Sequence, residues 1–265
     1  MHVFTELRGP ITAVREEESG NPNAGFVRTT EGTIIIDALR SPAEGATLLQ
    51  AAQAGSGRLR ALIYTHEHVD HHGGSTGYPA LEVAASEGTD RGIRDFVGRY
   101  RTQLAEAGLN PLMATLVFDS SLRFLGDPEV RVVELGGHAT GSSVVYIPSE
   151  RVLFAGDLIF LGRLPWVGTG SPRKWAESLR TLEEWDIQTV VPGHGPIAGK
   201  EVLAEQRSWL EAFATRLEEL QAGGTAADTA IKALDEEFGL AAGGYSEPLL
   251  QYMRQALTER FGFTG

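Results

Sequence analysis

The stretch LIYTHEHVDHHGGS, from Leu62 to Ser75, places four of the seven histidines of this 265-residue chain within seven consecutive positions. The apolar run RALIYT (60–65) leads into these histidines and predicts a buried strand that ends where they begin. Gly73 and Gly74 follow them, and two consecutive glycines would stop a helix. The sequence therefore predicts a histidine-rich loop at the end of a strand.

Three interpretations of HEHVDHH were compared. A zincin helix needs a histidine four residues after His66, but Asp70 stands there, so that motif is excluded. A solvated histidine-rich tract would bind metal loosely. A loop after a strand would project His66 and His68 to one side and Asp70 and His71 to another. Such a loop could hold two cations.

A two-cation site needs donors from elsewhere in the chain, because each zinc takes about four ligands and one position must stay open. His138 follows the predicted strand VRVVEL, Asp157 ends RVLFAGD, and His194 follows QTVV. Loops after different strands converge at one edge of a sheet. The shared position of these donors predicts a common metal site.

The composition narrows the chemistry. The chain has no cysteine, so a metal must be held by imidazole and carboxylate groups. A formal net charge of -12 and the absence of a basic cluster argue against nucleic acid as a partner. No apolar run is long enough for a membrane span, and no signal peptide is recognisable. We expect a cytoplasmic protein that acts on a small molecule and has no membrane partner.

Periodicity and turn residues predict a mixed α/β chain up to about residue 199. Ser41 is the predicted N-cap of a helix that has Pro42 at its first position. The other predicted helices cover Asp90–Ala107 and Pro172–Trp185. The predicted strands, besides 60–65, are 25–30, 32–38, 81–86, 130–135, the two strands within 142–157, and 188–191.

From Lys200 onward the pattern is helical only, with apolar residues at helical spacing and a capping box predicted at Thr225 and Asp228. We expect this tail to pack on the first part of the chain near the metal site. Together with the loop 161–174 it would form one wall of a substrate pocket. The alternative is that the stripe of Leu250, Met253 and Leu257 forms a homodimer interface.

Taken together, HEHVDH, GGHATGSS, FAGD and PGHG resemble the motif set of the metallo-β-lactamase superfamily of hydrolases. The resemblance implies an α/β protein with an αββα sandwich fold over residues 1–199, with residues 200–265 as a helical extension packed on it. Asp37 matches the early structural aspartate of the family. The implied first metal ligands are His66, His68 and His138, the second are Asp70, His71 and His194, and Asp157 bridges the two ions.

The expected cofactor is two zinc ions, with iron or manganese as alternatives. The balance of charge in the site supports two divalent cations. Two divalent cations bring four positive charges, and Asp70, Asp157 and a bridging hydroxide remove three. Zinc lowers the pKa of bound water to about 7, so the hydroxide exists at neutral pH. Asp70 is the predicted catalytic residue, because it can accept the proton of the hydroxide and give it to the leaving group.

The resemblance also excludes several of the reactions that other members of the superfamily catalyse. The β-lactamases with this pattern have cysteine or serine at position 157, nucleases carry an extra domain, and flavodiiron proteins need a carboxylate at position 68. The few basic residues of the tail argue against glutathione. We therefore expect a dinuclear hydrolase of a small ester, thioester or lactone. The alternatives are a mononuclear-iron sulfur dioxygenase and a non-catalytic metal binder, although the latter would be expected to have lost ligands.

Three further residues each have two possible roles near the metal site. Arg163 and Trp166 follow Asp157 and could line a pocket beside the metals, with Arg163 binding a carboxylate, or could belong to a structural loop. His72 is predicted to point away from a site that uses His71, either behind the ligands or on the surface.

Overall fold

The computed structural model describes residues 2–16, 20–54 and 58–264, and these form two β-sheets with helices on both outer faces. The first sheet has seven strands in sequence order, antiparallel from β1 to β4 and parallel from β4 to β7. Its strands are β1 (His2–Glu6), β2 (Ile11–Glu16), β3 (Ala24–Thr29), β4 (Gly32–Ile36), β5 (Leu59–Ile63), β6 (Glu82–Ser86) and β7 (Leu116–Phe118).

The second sheet has five strands in the order β12-β11-β10-β9-β8, and only β11 and β12 run parallel. Its strands are β8 (Ser121–Phe124), β9 (Val130–Glu134), β10 (Ser143–Ile147), β11 (Val152–Phe160) and β12 (Thr189–His194). The helices of the chain are α1 (Pro42–Gln53), α2 (Val69–His72), α3 (Glu87–Arg99), α4 (Arg101–Glu106), α5 (Pro172–Glu183), α6 (Glu201–Ala222), α7 (Ala227–Phe238) and α8 (Glu247–Glu259).

Three apolar cores separate the layers. Ile34 and Ile63 of the first sheet meet Val132 and Val145 of the second in the core between the sheets. Alternate residues of the same strands face outward, because successive side chains of a strand point to opposite faces. The outer face of the first sheet packs against α1 and α3, and that of the second packs against α5 and α6. The predicted αββα sandwich is confirmed.

The tail is part of the core on the outer face of the second sheet. Leu210, Phe213 and Leu217 of α6 are buried there, as are Met253 and Leu257 of α8. The idea that Met253 and Leu257 belong to a homodimer interface is therefore wrong, because both side chains are fully buried within their own chain.

Several local predictions were correct. Ser41 caps α1 through a complete capping box with Glu44, and Pro42 is the first helical residue. The predicted helix 172–185 corresponds to α5. The capping box at Thr225 is wrong, because the N-cap of α7 is Ala226 and no side chain caps that helix.

Other differences concern short or interrupted elements. The strands β1, β2, β7 and β8 had not been predicted. The helix expected over 90–107 is divided at Tyr100 into α3 and α4, and it begins earlier because Ser86 caps α3. Asp157 does not end its strand, since β11 continues past it to Phe160 through a bulge. None of the described helices combines the length and the apolar character needed to cross a bilayer.

Candidate metal centre

Four chain segments bring seven donor side chains to one edge of the two sheets. The segment after β5 carries His66 and His68, and the one-turn helix α2 carries Asp70 and His71. His138 lies in the loop between β9 and β10. Asp157 lies in the bulged part of β11, and His194 is the last residue of β12. The predicted loop after β5 thus contains a short helical turn, but it still directs its donors to the expected edge.

The donors form two groups, and within each group the atoms lie within 4.8 Å of one another. In the first group, Nε2 of His138 is 2.9 Å from Nδ1 of His68. In the second group, Nε2 of His194 is 3.4 Å from Oδ2 of Asp70. The groups consist of His66, His68, His138 and Asp157, and of Asp70, His71 and His194.

Asp157 stands between the two groups and turns one oxygen toward each. Its Oδ2 is 3.4 Å from Nε2 of His66 and 3.3 Å from Nε2 of His138. Its Oδ1 is 3.1 Å from Nε2 of His71 and 3.4 Å from Nε2 of His194. A single carboxylate in this position can contact a cation in either group.

The donor set fits divalent cations. Ligands at zinc-type bond lengths in a tetrahedron are separated by about 3.3 Å, which is the spacing of the atoms around Asp157. Nε2 of His66, Nε2 of His71 and Oδ1 of Asp157 are buried without a hydrogen-bond partner among the described residues. Buried polar atoms are rarely left unsatisfied, and cations bound by the two donor groups would satisfy these three.

The far nitrogens of the imidazoles are held by acceptors behind the site. Nδ1 of His138 faces the carbonyl oxygen of Trp166 at 3.1 Å, and Nδ1 of His194 faces the carbonyl of Gly20 at 3.2 Å. Because a carbonyl can only accept, each Nδ1 must carry a proton, and Nε2 is the nitrogen left to bind a metal once it is deprotonated. These two histidines therefore present the atom a metal needs.

Asp37 provides the same support for His71. Its Oδ2 is 2.9 Å from Nδ1 of His71 and accepts from the Thr65 hydroxyl at 2.8 Å, while its Oδ1 accepts from the Thr65 amide at 2.8 Å. The Thr65 hydroxyl is in turn 3.0 Å from Nδ1 of His66. Asp37 takes a positive φ of 55°, a conformation that aspartate tolerates better than most residues. Its structural role is thus to orient a donor in each group.

His72 is an interior residue, and the surface location that had been considered for it is wrong. Its side chain is fully buried, and its Nε2 is 3.1 Å from the carbonyl oxygen of Glu67. Burial lowers the pKa of His72 to about 4, so the ring is neutral and donates this hydrogen bond. The contact fixes the backbone between His66 and His68.

The two donor groups differ in the protonation of the histidines whose pKa is shifted. Burial lowers the pKa of His68 to about 3 and that of His138 well below its usual range, so both rings are neutral. Burial would raise the pKa of Asp157, but the neighbouring imidazoles of His194, His71 and His66 outweigh it and hold this pKa well below its usual range. Burial opposes protonation of His194, yet Asp157 raises its pKa to about 9. The carboxylates are ionised, and cations entering the second group would displace protons.

Gly193 is required by the close approach of β12 to Asp157. A Cβ atom at this position would lie 2.0 Å from Oδ1 of Asp157. We expect Gly193→Ala to displace that carboxylate and to lower the affinity for metal by about 10-fold or more. The measurement is metal content per chain after dialysis against a chelator. Gly98→Ala is the control, because no atom lies within 4 Å of its added Cβ, and equal metal retention by the two variants would contradict this role.

The donors open into a cavity of about 780 Å³. Its floor includes Asp70, Asp157 and His194. Arg163 and Trp166 both line it, as had been considered from the sequence, and the guanidinium of Arg163 lies 5.8 Å from the centre of the Phe160 ring. Two further parts of the wall come from α3 with Tyr100 and from the tail, and their residues include Asp95, Phe96, Arg99, Pro248, Leu249, Tyr252 and Arg260.

Sequence reasoning missed the α3 wall and the carbonyls of Gly20 and Trp166 behind the histidines. Backbone acceptors have no residue type, so no pattern could identify them. The spacing of Phe96 and Tyr100 is typical of one face of a helix. It is a weak indication of a cavity wall, because it is equally typical of core packing. The prediction that the tail forms part of the pocket wall is confirmed, because residues of α8 line the cavity.

Comparisons with known proteins agree with this geometry. Residues 19–194 match the family model of the metallo-β-lactamase superfamily. The chain is 27% identical over 243 residues to a hydroxyacylglutathione hydrolase of Rhodospirillum rubrum, covering 90% of this chain and 85% of that protein. It is 27% identical over 213 residues to the acyl-coenzyme A thioesterase MBLAC2 of Gallus gallus, covering 70% of this chain and 77% of that one.

Solved structures show the same fold. A metallo-β-lactamase from Pontibacter korlensis superposes with a TM-score of 0.66 at 21% identity, over 80% of this chain and 99% of that one. The sec-alkylsulfatase Pisa1 from Pseudomonas sp. superposes with a TM-score of 0.76 at 17% identity, over 99% of this chain and 51% of that one. The family match extends over the histidine loop, Asp157 and His194, and the chain therefore belongs to the metallo-β-lactamase superfamily and is a metal-dependent hydrolase.

Proposed function

We propose that this hydrolase binds two divalent ions, zinc in the first instance, and cleaves a small thioester, with esters and lactones as related substrates. The observation that carries the proposal is the position of Asp157, whose two oxygens face separate groups of donors. The two relatives described above are named for thioester hydrolysis, which favours thioesters within this class.

The proposed ligands are those of the two groups. His66, His68 and His138 would hold the first ion, Asp70, His71 and His194 the second, and Asp157 would contact both. When bound, the two cations supply a water of near-neutral pKa and an electrophile for the carbonyl oxygen.

Asp70 has the proposed catalytic role. Its Oδ2 faces Nε2 of His194, which leaves its other oxygen available for proton transfer. As water attacks the thioester carbonyl, one water proton moves to this carboxylate. The C–S bond then breaks, and the thiolate takes the proton from Asp70 to leave as a thiol beside the carboxylic acid product.

The cavity supports a substrate with one apolar and one anionic part. Phe96, Trp166 and Tyr252 offer aromatic surface for an acyl group, whereas Arg163 and Arg260 offer positive charge. The two lysines of the tail do not line this cavity, since Lys200 donates to the carbonyl of Trp185 and Lys232 lies in a groove between α7 and α8. Arg260 is thus the tail cation placed to contact the thiol part of the substrate.

We further propose that residues 1–199 are the catalytic domain and that residues 200–265 are a helical extension required for the pocket. Leu203 and Leu210 of α6 share a core with Trp175 and Leu179 of α5. Pro248, Leu249 and Tyr252 of α8 line the cavity beside the donors. This arrangement favours a tail that shapes substrate choice.

The single-iron dioxygenase remains the second candidate, and two groups of donors argue against it. One iron held by two histidines and one aspartate would leave Asp70, His71 and His194 without a role, although their atoms lie within 4.8 Å of one another. A non-catalytic metal binder would have no use for a cavity of about 780 Å³ that opens on the donors.

The test is metal analysis of protein purified without added metal, combined with a substrate panel. The panel contains hydroxyacyl-glutathione, acyl-coenzyme A, lactones and aryl esters, and oxygen uptake is measured with persulfide. We expect two ions per chain and the highest kcat/KM with a thioester. One iron per chain with oxygen uptake would favour the dioxygenase, and two ions without hydrolysis of any panel member would favour a metal binder.

A further inference from the structure

The loop of residues 161–170, here called the pocket loop, holds the backbone and the side chain of His138. The carbonyl of Trp166 accepts from Nδ1 of His138 at 3.1 Å, and the hydroxyl of Thr169 donates to the carbonyl of His138 at 2.9 Å. Just after this loop, the amide of Ser171 donates to the carbonyl of Gly137 at 2.9 Å. The orientation of His138 therefore depends on where the pocket loop lies.

The pocket loop is in turn held by the tail, chiefly by Tyr245. The Tyr245 hydroxyl donates to the carbonyl of Pro165 at 2.6 Å and accepts from the amide of Val167 at 3.0 Å. These two residues flank Trp166, and the rings of Trp166 and Tyr245 pack with their centres 5.2 Å apart. Next to them, the amide of Leu164 donates to the carbonyl of Gly243 at 2.9 Å.

We propose that Tyr245 is a positioning residue for His138, so that the tail sets the affinity of the first donor group for its metal ion. The inference rests on the proposed role of His138 as a metal ligand. Tyr245 touches neither the donors nor the substrate and acts through the Trp166 carbonyl alone.

The inference depends on the hydroxyl of Tyr245, which is buried and both donates and accepts a hydrogen bond. Tyr245 is 3% exposed, and burial raises its pKa, so the hydroxyl keeps its proton and remains a donor. Removing it would leave the Pro165 carbonyl and the Val167 amide without this partner in a buried site, which is unfavourable unless the loop moves. Movement of the loop would shift the Trp166 carbonyl away from His138. The imidazole would then lose the acceptor that fixes its tautomer and orientation.

Tyr245→Phe tests the inference, with Tyr146→Phe as the matched control. The hydroxyl of Tyr146 also donates to a backbone carbonyl, that of Asp186 at 2.7 Å, but it faces Trp185 and none of the donors. Stepwise binding of Zn²⁺ and Co²⁺ to the apoprotein is measured by competition with a chromophoric chelator. We expect Tyr245→Phe to weaken one of the two binding steps by about 10-fold and to alter the Co²⁺ visible spectrum. This is the smallest loss of metal affinity that is typical when a residue behind a metal ligand is replaced.

The control should bind both ions as the unaltered chain does. If Tyr245→Phe also bound both ions with unchanged affinity and spectrum, the positioning role would be wrong and Tyr245 would only stabilise the fold. If Tyr245→Phe did not fold, Gly243→Ala provides a second test. Its added Cβ would lie 2.3 Å from the side chain of Leu164, so this part of the pocket loop would have to shift while the Tyr245 hydroxyl is retained. A few-fold weakening of the same binding step is expected, and no change would count against the proposal.

A double variant separates this inference from the proposed metal site. His138→Ala should weaken or abolish binding of one ion, and Tyr245→Phe should add nothing to it if the tyrosine acts through His138. An unchanged metal content in His138→Ala would refute the ligand assignment. Additive effects of the two substitutions would refute the tail's action on His138 while leaving that assignment intact.

Discussion

An Asp157→Ala variant is expected to retain fewer than two ions per chain and to lose its activity together with the metal. Oδ2 and Oδ1 of Asp157 each lie within 3.4 Å of imidazole nitrogens in a different donor group. Alanine would leave the imidazoles of both donor groups without the carboxylate that is proposed to contact both cations. We expect metal affinity and kcat/KM to fall by more than about 100-fold, since even residues behind metal ligands contribute 10-fold to 100-fold.

The measurement is metal content per chain beside kcat/KM for the best thioester of the panel. Asp95→Ala is the control for metal content, because Asp95 lines the same cavity but belongs to neither donor group. Two tightly held ions in Asp157→Ala, with normal activity, would show that Asp157 does not bridge. Loss of metal in both variants would indicate a general effect of negative charge in the cavity instead.

The donor groups were predictable from the sequence because position along the chain carried the information. Short strands that end at or a few residues before His66, His138 and His194 are visible as apolar runs, and the edge where such strands end gathers their loops. Asp157 was found for a slightly different reason than expected, since β11 continues beyond it through a bulge. Bulges redirect a side chain without leaving a sequence pattern.

Three of the missed strands, β1, β7 and β8, are very short or have no fully buried residue. β1 lies at the edge of its sheet and has no fully buried residue, and β7 and β8 contain three and four residues. Pattern reasoning needs a longer alternating run than these strands offer. The failed capping box at Thr225 has a similar explanation. Its residues fit the motif, but the amide of Ala227 donates instead to the carbonyl of Thr264, a contact that depends on the distant end of the chain.

The support behind the ligands could be predicted only in part. Asp37 was expected from the resemblance to the family, and it does contact His71 and Thr65. Tyr245 lies 107 positions from His138 along the chain, and the two are connected by backbone groups of the pocket loop. Such a connection exists only in the folded chain.

Asp70→Asn is expected to lower kcat by about 100-fold or more while the protein still binds its ions. Asparagine keeps the shape of the side chain and one coordinating oxygen, but its amide cannot accept a proton from attacking water. The pKa of Asp70 is held well below its usual range: burial would raise it, but the imidazoles of His71 and His194 prevail, so the carboxylate is ionised at neutral pH. The effect should therefore be a loss of kcat with little change in KM.

The decisive comparison is between substrates with good and poor leaving groups. A poor leaving group needs the proton that Asp70 returns, so Asp70→Asn should slow an alkyl thioester more than an aryl thioester. Ions per chain must be measured for each preparation, because Oδ2 of Asp70 also lies 3.4 Å from Nε2 of His194 and belongs to the second donor group. A variant with two ions, a normal kcat and no dependence on the leaving group would remove Asp70 from the proton transfer and leave it as a ligand only.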